Sequence, residues 1–524
     1  REVNLWSTAV DALKEAADVH VCHRQMEIII NATRDETGRQ RALIAGALPA
    51  VVGVVHAHPR DRGVQVYGCQ ALVVICKLSN TRKYAAADAG AFPVLAACLR
   101  THMDYEPLAR DSLEALVLLA ASTEGRREKM AMEAGVDALA VASMRAHPSS
   151  VDVQANGIRA LGTLARADPT SAAQCVRGGA LPVLSDAMGA HRDSATIHEA
   201  ACDAVHALVA GNEVSRGAAA GEGLCLEVVA SLVRHIQNQR VAEAAVCTMA
   251  ELAHGPDAAR YALAIDADCV PSLEEAAEAH PGSAALAREA VNCVGNLAQA
   301  ADKRVQSALP QRTVRFVAAR MNAHRASGDV QEQGCAALLN LAGTSAARRQ
   351  AASDVDVQRC VAKAMTGHGK NVHLQIWGCA AAVVIARDGN GAKLAAAEAK
   401  VVAAVMGATT AHPANASVME WALLAIATIS TGPLEATLID EGVPDLCVRA
   451  LRTWPKNLQT LELAIKVLIT IAKASPVGRA AVLSSGAVER IKMLRKLNLE
   501  EPRVRRPADE FQKTLDVQAK RVAI

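Results

Sequence analysis

The chain has 524 residues, of which 51% are hydrophobic and 2% aromatic, and its formal net charge is +2. This apolar content excludes a disordered chain, and the near-neutral charge gives no electrostatic reason to expect nucleic acid or an acidic membrane as a partner. No apolar run reaches the roughly 18 residues that a membrane span needs, so no span is expected.

The predicted elements repeat along the chain with a period of about 44 residues. Gly46, Gly90, Gly135 and Gly179 are separated by 44, 45 and 44 residues, and each follows a short, polar-started helical segment. The same stride continues to Gly223, Asp268, Arg312, Asp356, Lys400, Gly442 and Gly486, where four positions lack glycine but keep the phase. These eleven anchors predict one repeat array, because modules of this size bury their apolar faces only against one another.

Each period contains three predicted helices. A short helix leads to the anchor, a second helix follows it, as in LPAVVGVVH, and a longer third helix comes next, as in VQEQGCAALLNLA. The third helix keeps a small residue at one position, such as Gly68, Gly157, Gly334 and Gly378. Because glycine costs a helix about 0.5–1 kcal/mol relative to alanine, we expect another helix to cross there at close range.

A histidine ends the second helix in nine periods, always twelve residues after the anchor. These residues are His58, His102, His147, His191, His235, His280, His324, His368 and His412. At a helix C-terminus an imidazole donates to the free carbonyl groups and its cation interacts favourably with the helix dipole, which predicts structural caps. A response to pH is the alternative, because protonation of all sixteen histidines would raise the formal charge from +2 to +18.

The fourteen cysteines form no CxxC pair, and many lie in apolar helical segments such as GCQAL and GCAAL. We interpret them as buried thiols in a reducing compartment, which favours an intracellular protein. A cytoplasmic or cytoskeletal location is expected, with the nucleus or an organelle as alternatives.

The order of short helix, Gly turn, Pro-started helix and long helix ending in NLA resembles the armadillo-repeat family. The segments RQRALIAGALPAVV, TRKYAAADAGAFPVL and QEQGCAALLNLA carry the resemblance, which covers about residues 5–497. HEAT repeats are the nearest alternative, but they lack the short first helix and the Gly anchor. The resemblance implies an all-α fold, a right-handed α-solenoid (superhelix) of about eleven armadillo-like repeats over residues 1–497, with a partial first unit and a charged tail or capping helix at 498–524.

The resemblance also implies that an extended peptide or partner subunit binds along the groove formed by the third helices. Importin-alpha-like members carry a Trp and an Asn four residues apart on these helices, but no Trp occupies the matching position here, so their nuclear-signal ladder is broken. Bonds to neighbouring helix residues are the alternative role for the asparagines. The candidate groove residues at the two positions are Asn31, Gln70, Glu114, Arg159, Asp203, Glu251, Asn292, Asn296 and Asn340.

His198, Cys202 and His206 are spaced four residues apart on one helix face, which makes a zinc site a minor alternative. The sequence offers no clear fourth ligand, and Cys202 occupies a core position, so no metal is predicted. P-loop, nucleophile-elbow, HExxH and dinucleotide motifs are missing from the sequence, so we expect no catalytic residue, cofactor or small-molecule substrate.

The C-terminal tail is basic: from Glu489 on, it carries ten Lys or Arg against six Asp or Glu, including RVRRP at 503–507. A solvated tail is the simplest interpretation, and docking onto an acidic or tubulin-like partner is the alternative. The sequence as a whole predicts a non-catalytic protein-interaction scaffold in a multi-subunit complex, as a structural subunit of a cytoskeletal or ciliary assembly. A nuclear-transport-like or signalling adaptor for mobile peptides is the alternative.

Overall fold

In the computed structural model the described residues are 2–15, 18–121, 125–430, 434–498 and 500–522, and their regular structure is helical, without strands. The chain divides into two compact units, Arg1–Ser272 (unit 1) and Leu273–Ile524 (unit 2). Each unit is a helical repeat solenoid in which a helix packs mainly on its neighbours in sequence.

Unit 1 begins with α1 (Glu2–Glu15) and α2 (Val19–Ala32), and then repeats a trio of a short, a medium and a long helix. The trios are α3 (Glu36–Ile44), α4 (Ala47–Ala57) and α5 (Arg62–Cys76); α6 (Asn80–Asp88), α7 (Ala91–Thr101) and α8 (Glu106–Ala120); α9 (Arg126–Glu133), α10 (Val136–Ala146) and α11 (Val151–Ala165); α12 (Pro169–Arg177), α13 (Ala180–Ala190) and α14 (Ala195–Val209); and α15 (Glu213–Gly221), α16 (Leu224–Arg234) and α17 (Gln239–Ala253). After them come α18 (Asp257–Tyr261), a π-helical turn (Ala262–Asp266) and α19 (Cys269–Ala279).

Unit 2 continues the pattern after α20 (Ala284–Leu297). Its trios are α21 (Lys303–Ala308), α22 (Arg312–Ala323) and α23 (Gly328–Thr344); α24 (Ala346–Ala352), α25 (Val355–Gly367) and α26 (Val372–Ala386); α27 (Asn390–Glu398), α28 (Val401–Ala411) and α29 (Ala416–Ile429); α30 (Glu435–Asp440), α31 (Val443–Thr453) and α32 (Leu458–Ala474); and α33 (Pro476–Ser484), α34 (Ala487–Leu497) and α35 (Pro502–Val522).

The anchor residues form the sharp turn between the short and medium helices. The seven anchor glycines have positive φ angles of 72–89°, a left-handed conformation that a residue without Cβ adopts at no steric cost. Asp268 and Lys400 keep the left-handed turn without glycine, with φ angles of 45° and 60°. Arg312 and Asp356 do not: each already lies within the medium helix, so at these two positions the period continues but the Gly-type turn does not.

The small position of the long helix is where the medium helix crosses it. A Cβ added to Gly68 would lie 2.1 Å from Val55 Cγ2, and one added to Gly157 would lie 2.5 Å from Met144 Cγ. Gly334 meets Met321 and Gly378 meets Met365 in the same way. The close crossing expected from the sequence is therefore confirmed at all four glycines.

Six of the nine recurrent histidines link neighbouring repeats instead of capping their own helices through the side chain. The main-chain N–H of each closes its medium helix, as in His102 to Cys98. The side-chain Nε2 contacts the carbonyl of the residue after the preceding repeat's histidine, at 2.7–3.0 Å. A carbonyl only accepts, so Nε2 donates, which a neutral imidazole does as well as a protonated one. The six bonds join His102 to Pro59, His147 to Met103, His191 to Pro148, His235 to Arg192, His368 to Arg325 and His412 to Gly369.

In four repeats, a glutamine seven residues after the histidine bonds to the main chain at the end of the medium helix. Gln154 Nε2 donates to the Met144 carbonyl at 2.7 Å and to the His147 carbonyl at 2.9 Å, satisfying two free carbonyls of the medium helix. Gln65, Gln331 and Gln375 make the equivalent pairs of bonds.

Buried arginines of the short helices cap the long helices. Arg82 donates to the Lys77 carbonyl at 2.7 Å and forms a two-bond ion pair with Glu36 at 2.7 and 3.1 Å. Arg127 donates to the Ala121 carbonyl, and its guanidinium lies 4.3 Å from the Tyr84 ring centroid. A buried guanidinium is tolerated because carbonyls, carboxylates and an aromatic face replace its water.

Among the described residues, no single helix has both the length and the hydropathy that crossing a bilayer requires. Two bent pairs reach those limits only when their helices are taken together: Glu36–Ile44 with Ala47–Ala57, and Asn390–Glu398 with Val401–Ala411.

Candidate functional site

The long helices lie side by side within each unit and leave one face uncovered. In unit 1 the contacts run from α5 through α8, α11 and α14 to α17, and in unit 2 from α20 through α23, α26 and α29 to α32. Side chains on the other faces of these helices form the core, so only one stripe per helix remains accessible. We call this surface of each unit its long-helix face. That of unit 1 carries Gln70, Glu114, Arg159, Asp203 and Glu251, and that of unit 2 carries Asn292, Asn340, Trp377, Trp421 and Lys466.

Two of the predicted groove residues share a cavity on this face. Arg159 of α11 and Asp203 of α14 both line a cavity of about 440 Å³, together with Arg240 of α17. Arg240 pairs with Glu199 at 2.6 Å. Close packing shapes the floor, since a Cβ on Gly162 would lie 3.2 Å from Ala204 Cα. The cavity offers both charge signs, which suits the backbone and polar side chains of a bound peptide.

Gln70 and Glu114 lie toward the beginning of the face. Gln70 Nε2 donates to Asp111 Oδ2 at 3.1 Å, and Asp111 Oδ1 also accepts from Arg110 at 2.7 Å. Asp111, which is 5% exposed, lies three residues before Glu114 and outside the Trp and Asn positions of the resemblance, so the sequence did not indicate it. Glu114 is exposed.

The carboxylate of Glu251 is held by hydrogen bonds from other residues of the fold. Its carboxylate accepts from Arg216 at 2.6 and 3.1 Å and from the Gly211 N–H at 3.1 Å. Burial acts to raise the pKa of Glu251, but these bonds outweigh it and hold the pKa below its usual value. The residue therefore ties α17 to the loop before α15 and to α15 itself.

The predicted asparagines bond mainly to their own neighbourhood. Asn296 Nδ2 donates to Asn292 Oδ1 at 3.2 Å, and Asn292 donates to Glu289 at 3.2 Å. Asn340 donates to the Gly295 carbonyl of the adjacent long helix at 3.3 Å, and exposed Asn31 accepts from Arg34 at 2.7 Å. These contacts are those of the alternative role, in which the asparagines hold neighbouring helix residues.

Two tryptophans on the long-helix face of unit 2 were not predicted from the sequence. Trp377 of α26 is 37% exposed, and Trp421 of α29 is half-buried at the equivalent position, on a helix that α26 contacts. Both lie nine residues after their repeat's histidine, one helical turn before the Trp position of the resemblance. Their spacing of 44 residues in a chain with four Trp was the available signal.

The zinc alternative does not fit the geometry. Among the described residues, no group of three or more His, Cys, Asp or Glu side chains could hold a metal ion. His198 Nδ1 bonds Ser231 Oγ at 2.5 Å, and its ring lies 4.8 Å from that of His235, so it faces α16. Burial raises the pKa of the Cys202 thiol to about 12, which disfavours the thiolate that zinc binds.

The basic tail is largely helix. RVRRP lies in α35, which contacts α32 and α34 and buries Val504, Ala508 and Phe511. Three ion pairs tie this helix and its neighbours together: Arg503 to Glu462, Arg495 to Asp509 and Lys473 to Glu510, at 2.9, 2.5 and 2.6 Å.

No protein-family model matches the chain, and no curated protein sequence does. A solved structure from work on a phosphorylation switch that controls the interaction between cadherin and β-catenin is similar, with a TM-score of 0.66 and 15% identity over 97% of this chain and 90% of that chain. Two engineered proteins align with TM-scores of 0.38 and 0.42, at 17% and 23% identity, over 98% and 48% of this chain and 99% and 97% of theirs. The likeness at a TM-score of 0.66 shows the fold alone, a helical repeat solenoid; β-catenin is an armadillo-repeat protein.

Proposed function

We propose that the chain is a non-catalytic scaffold of about eleven right-handed armadillo-like repeats, which binds an extended segment of a protein partner along the long-helix face. The observation that carries the proposal is the uncovered face itself, continuous over the stacked long helices of each unit. Support for the fold comes from the similarity to the cadherin and β-catenin structure, in which a protein of this architecture interacts with another protein.

The tryptophan pair is the part of the face best suited to hold a partner. Trp and Tyr bury large areas on binding and are enriched among the residues that contribute most to interface affinity. Leu424, the partly exposed residue three positions after Trp421, extends the apolar surface. We propose that apolar side chains of the bound segment contact Trp377 and Trp421.

We further propose a structural subunit of a multi-subunit complex, with a cytoskeletal or ciliary assembly as the first place to look. A reducing compartment is supported by the fourteen cysteines, none of which forms a disulfide. A signalling or transport adaptor differs from a structural subunit in the exchange of its partner, which the experiment below measures.

The test is quantitative pull-down from extracts of the native source, comparing the wild type with Trp377→Ala/Trp421→Ala. A matched control is Leu394→Ala/Val477→Ala, which removes exposed apolar side chains of unit 2 on the short helices α27 and α33. We expect the Trp variant to recover about tenfold less of the main partner than the wild type does. The control variant should recover as much as the wild type. Equal recovery with both variants would refute binding through this face.

Retention of the partner at high salt then distinguishes a structural subunit from an adaptor. A structural subunit should keep its partner in fixed stoichiometry at about 0.5 M salt, where exposed charge interactions are screened. An adaptor should release it and exchange it for labelled competitor during the wash.

A further inference from the structure

The outer side of α34 carries an apolar ridge, formed by two exposed side chains at positions that are small or polar in the other Gly-anchored medium helices. Met493 and Leu497, one turn apart, are 50% and 66% exposed. They stand seven and eleven residues after the left-handed turn at Gly486. The same two positions in the other Gly-anchored trios hold Gly53 and Ala57, Ala97 and Thr101, Ala142 and Ala146, Asp186 and Ala190, Ala230 and Arg234, and Arg449 and Thr453.

The ridge is exposed because of its place in the repeat. Ala97, Thr101, Arg449 and Thr453 are exposed as well, although further repeats follow them in the chain. Large apolar residues that stay exposed gain no burial free energy on folding, so this pair is available for an external contact.

A cavity lies beside the ridge. It has a volume of about 650 Å³ and is lined by Met493 and Leu497 on one side and by Ala508 and Phe511 of α35 on the other. A concave apolar floor next to two protruding side chains is the shape in which the apolar face of a helix is held.

The charge around the ridge identifies the partner's chemistry. α34 carries four cationic residues, Arg490, Lys492, Arg495 and Lys496, against one carboxylate, Glu489. Lys492 and Lys496 line the cavity together with Glu489, which lies 3.7 Å from Lys492, and Arg495 is already paired with Asp509 at 2.5 Å. A second copy of the chain would bring the same basic helix and be repelled, whereas an acidic segment would be attracted.

We propose that the α34 ridge and its cavity form a second docking site, which takes an acidic amphipathic helix of another protein. The apolar face of that helix packs on Met493 and Leu497, and its carboxylates lie beside Lys492 and Lys496. The site is on a medium helix and is separate from the long-helix face.

The test titrates the full chain into a fluorescein-labelled peptide of about 18 residues, with leucine on one helical face and glutamate on the other. Met493→Gln/Leu497→Gln and, separately, Lys492→Gln/Lys496→Gln should each weaken binding about tenfold. Ala97→Gln/Thr101→Gln, at the equivalent positions of α7, should bind like the wild type. Far-UV circular dichroism and thermal melting confirm that each variant is folded.

Three results would overturn the proposal. The first is equal binding of a peptide in which lysine replaces every glutamate. The second is retention of full affinity by Met493→Gln/Leu497→Gln. The third is a different occupant of the ridge, seen as self-association of the wild type that this variant abolishes in sedimentation, or as co-sedimentation with phosphatidylserine vesicles that it abolishes.

Discussion

At the residue scale, a histidine in six repeats and a glutamine in four position the loop between the medium and long helices. Histidine reaches the preceding repeat, and glutamine reaches two carbonyls of its own repeat, as His147 and Gln154 show. Each bond satisfies a carbonyl that a helix end or loop leaves free. The polar residues of the pattern therefore fix the spacing of neighbouring repeats.

The histidine contribution is measurable at His102, which is 5% exposed and donates to the Pro59 carbonyl at 2.8 Å. We expect His102→Ala to lower the free energy of unfolding by about 1–2 kcal/mol, because it removes the bond and leaves a small void. Urea unfolding followed by circular dichroism measures the change. His254→Ala, at an exposed position, is the control and should change stability little; equal effects of both variants would contradict the role of the bond.

His198 predicts a loss of stability in acid. It occupies the glutamine position of its repeat, and burial lowers its pKa to about 4, with His235 and Arg234 acting in the same direction. An unfolded histidine titrates near pH 6.5, so between pH 6.5 and 4 the unfolded chain binds a proton that the folded chain does not. As the pH is lowered from 6.5 to 4, the free energy of unfolding should therefore fall by about 3 kcal/mol from this residue alone. Above pH 6.5 this residue should not change the free energy of unfolding.

The matched variant is His198→Gln, because Gln65, Gln154, Gln331 and Gln375 occupy the same position in other repeats. Urea unfolding at several pH values between 4.5 and 7.5 should show a shallower decline for the variant than for the wild type, with similar stability near neutral pH. Parallel curves would show that His198 is not the group responsible.

At the scale of the element, the contact between medium and long helix depends on the missing Cβ at the small position. Gly68 lies under Val55, whose branched side chain has little freedom to move aside. Glycine here costs helix propensity but allows the two helices to approach.

The balance between helix propensity and close packing predicts that two Gly→Ala changes in neighbouring helices alter the stability of the protein in opposite directions. Gly68→Ala should destabilise the protein by about 1–3 kcal/mol through overpacking, despite better helix propensity. Gly53→Ala in α4, where a Cβ would meet nothing within 4 Å, should stabilise it by about 0.5–1 kcal/mol. Denaturant unfolding measures both, and adding Val55→Ala to Gly68→Ala should recover part of the loss; a stabilising Gly68→Ala would refute the steric argument.

At the scale of the molecule, stacking of repeats removes the thiols from solvent. Thirteen of the fourteen cysteines are buried and Cys247 is half-buried. Burial raises the pKa of the Cys175 and Cys379 thiols to about 12, so both stay protonated at neutral pH.

We therefore expect a thiol reagent such as dithionitrobenzoate to react quickly with at most Cys247 in the native protein, and with all fourteen thiols after denaturation. Removal of the fast phase by Cys247→Ser is the control. Rapid reaction of several thiols in the native state would mean that the repeats open more readily than their packing indicates.

The helix trios, the turn residues, the histidine phase and the close crossing at Gly68 and its equivalents could be predicted from the sequence. They follow from periodicity and from the conformational limits of single residues, which are local properties of every repeat. The partners of the polar side chains depend instead on how the repeats pack. Six histidines bond to a neighbouring repeat, Arg312 and Asp356 lie within helices without a Gly-type turn, and Trp377 is exposed while Glu251 is tied into the fold. The histidine and Glu251 contacts join residues about 40 positions apart, and a single sequence records the order of such residues but not their separation in space.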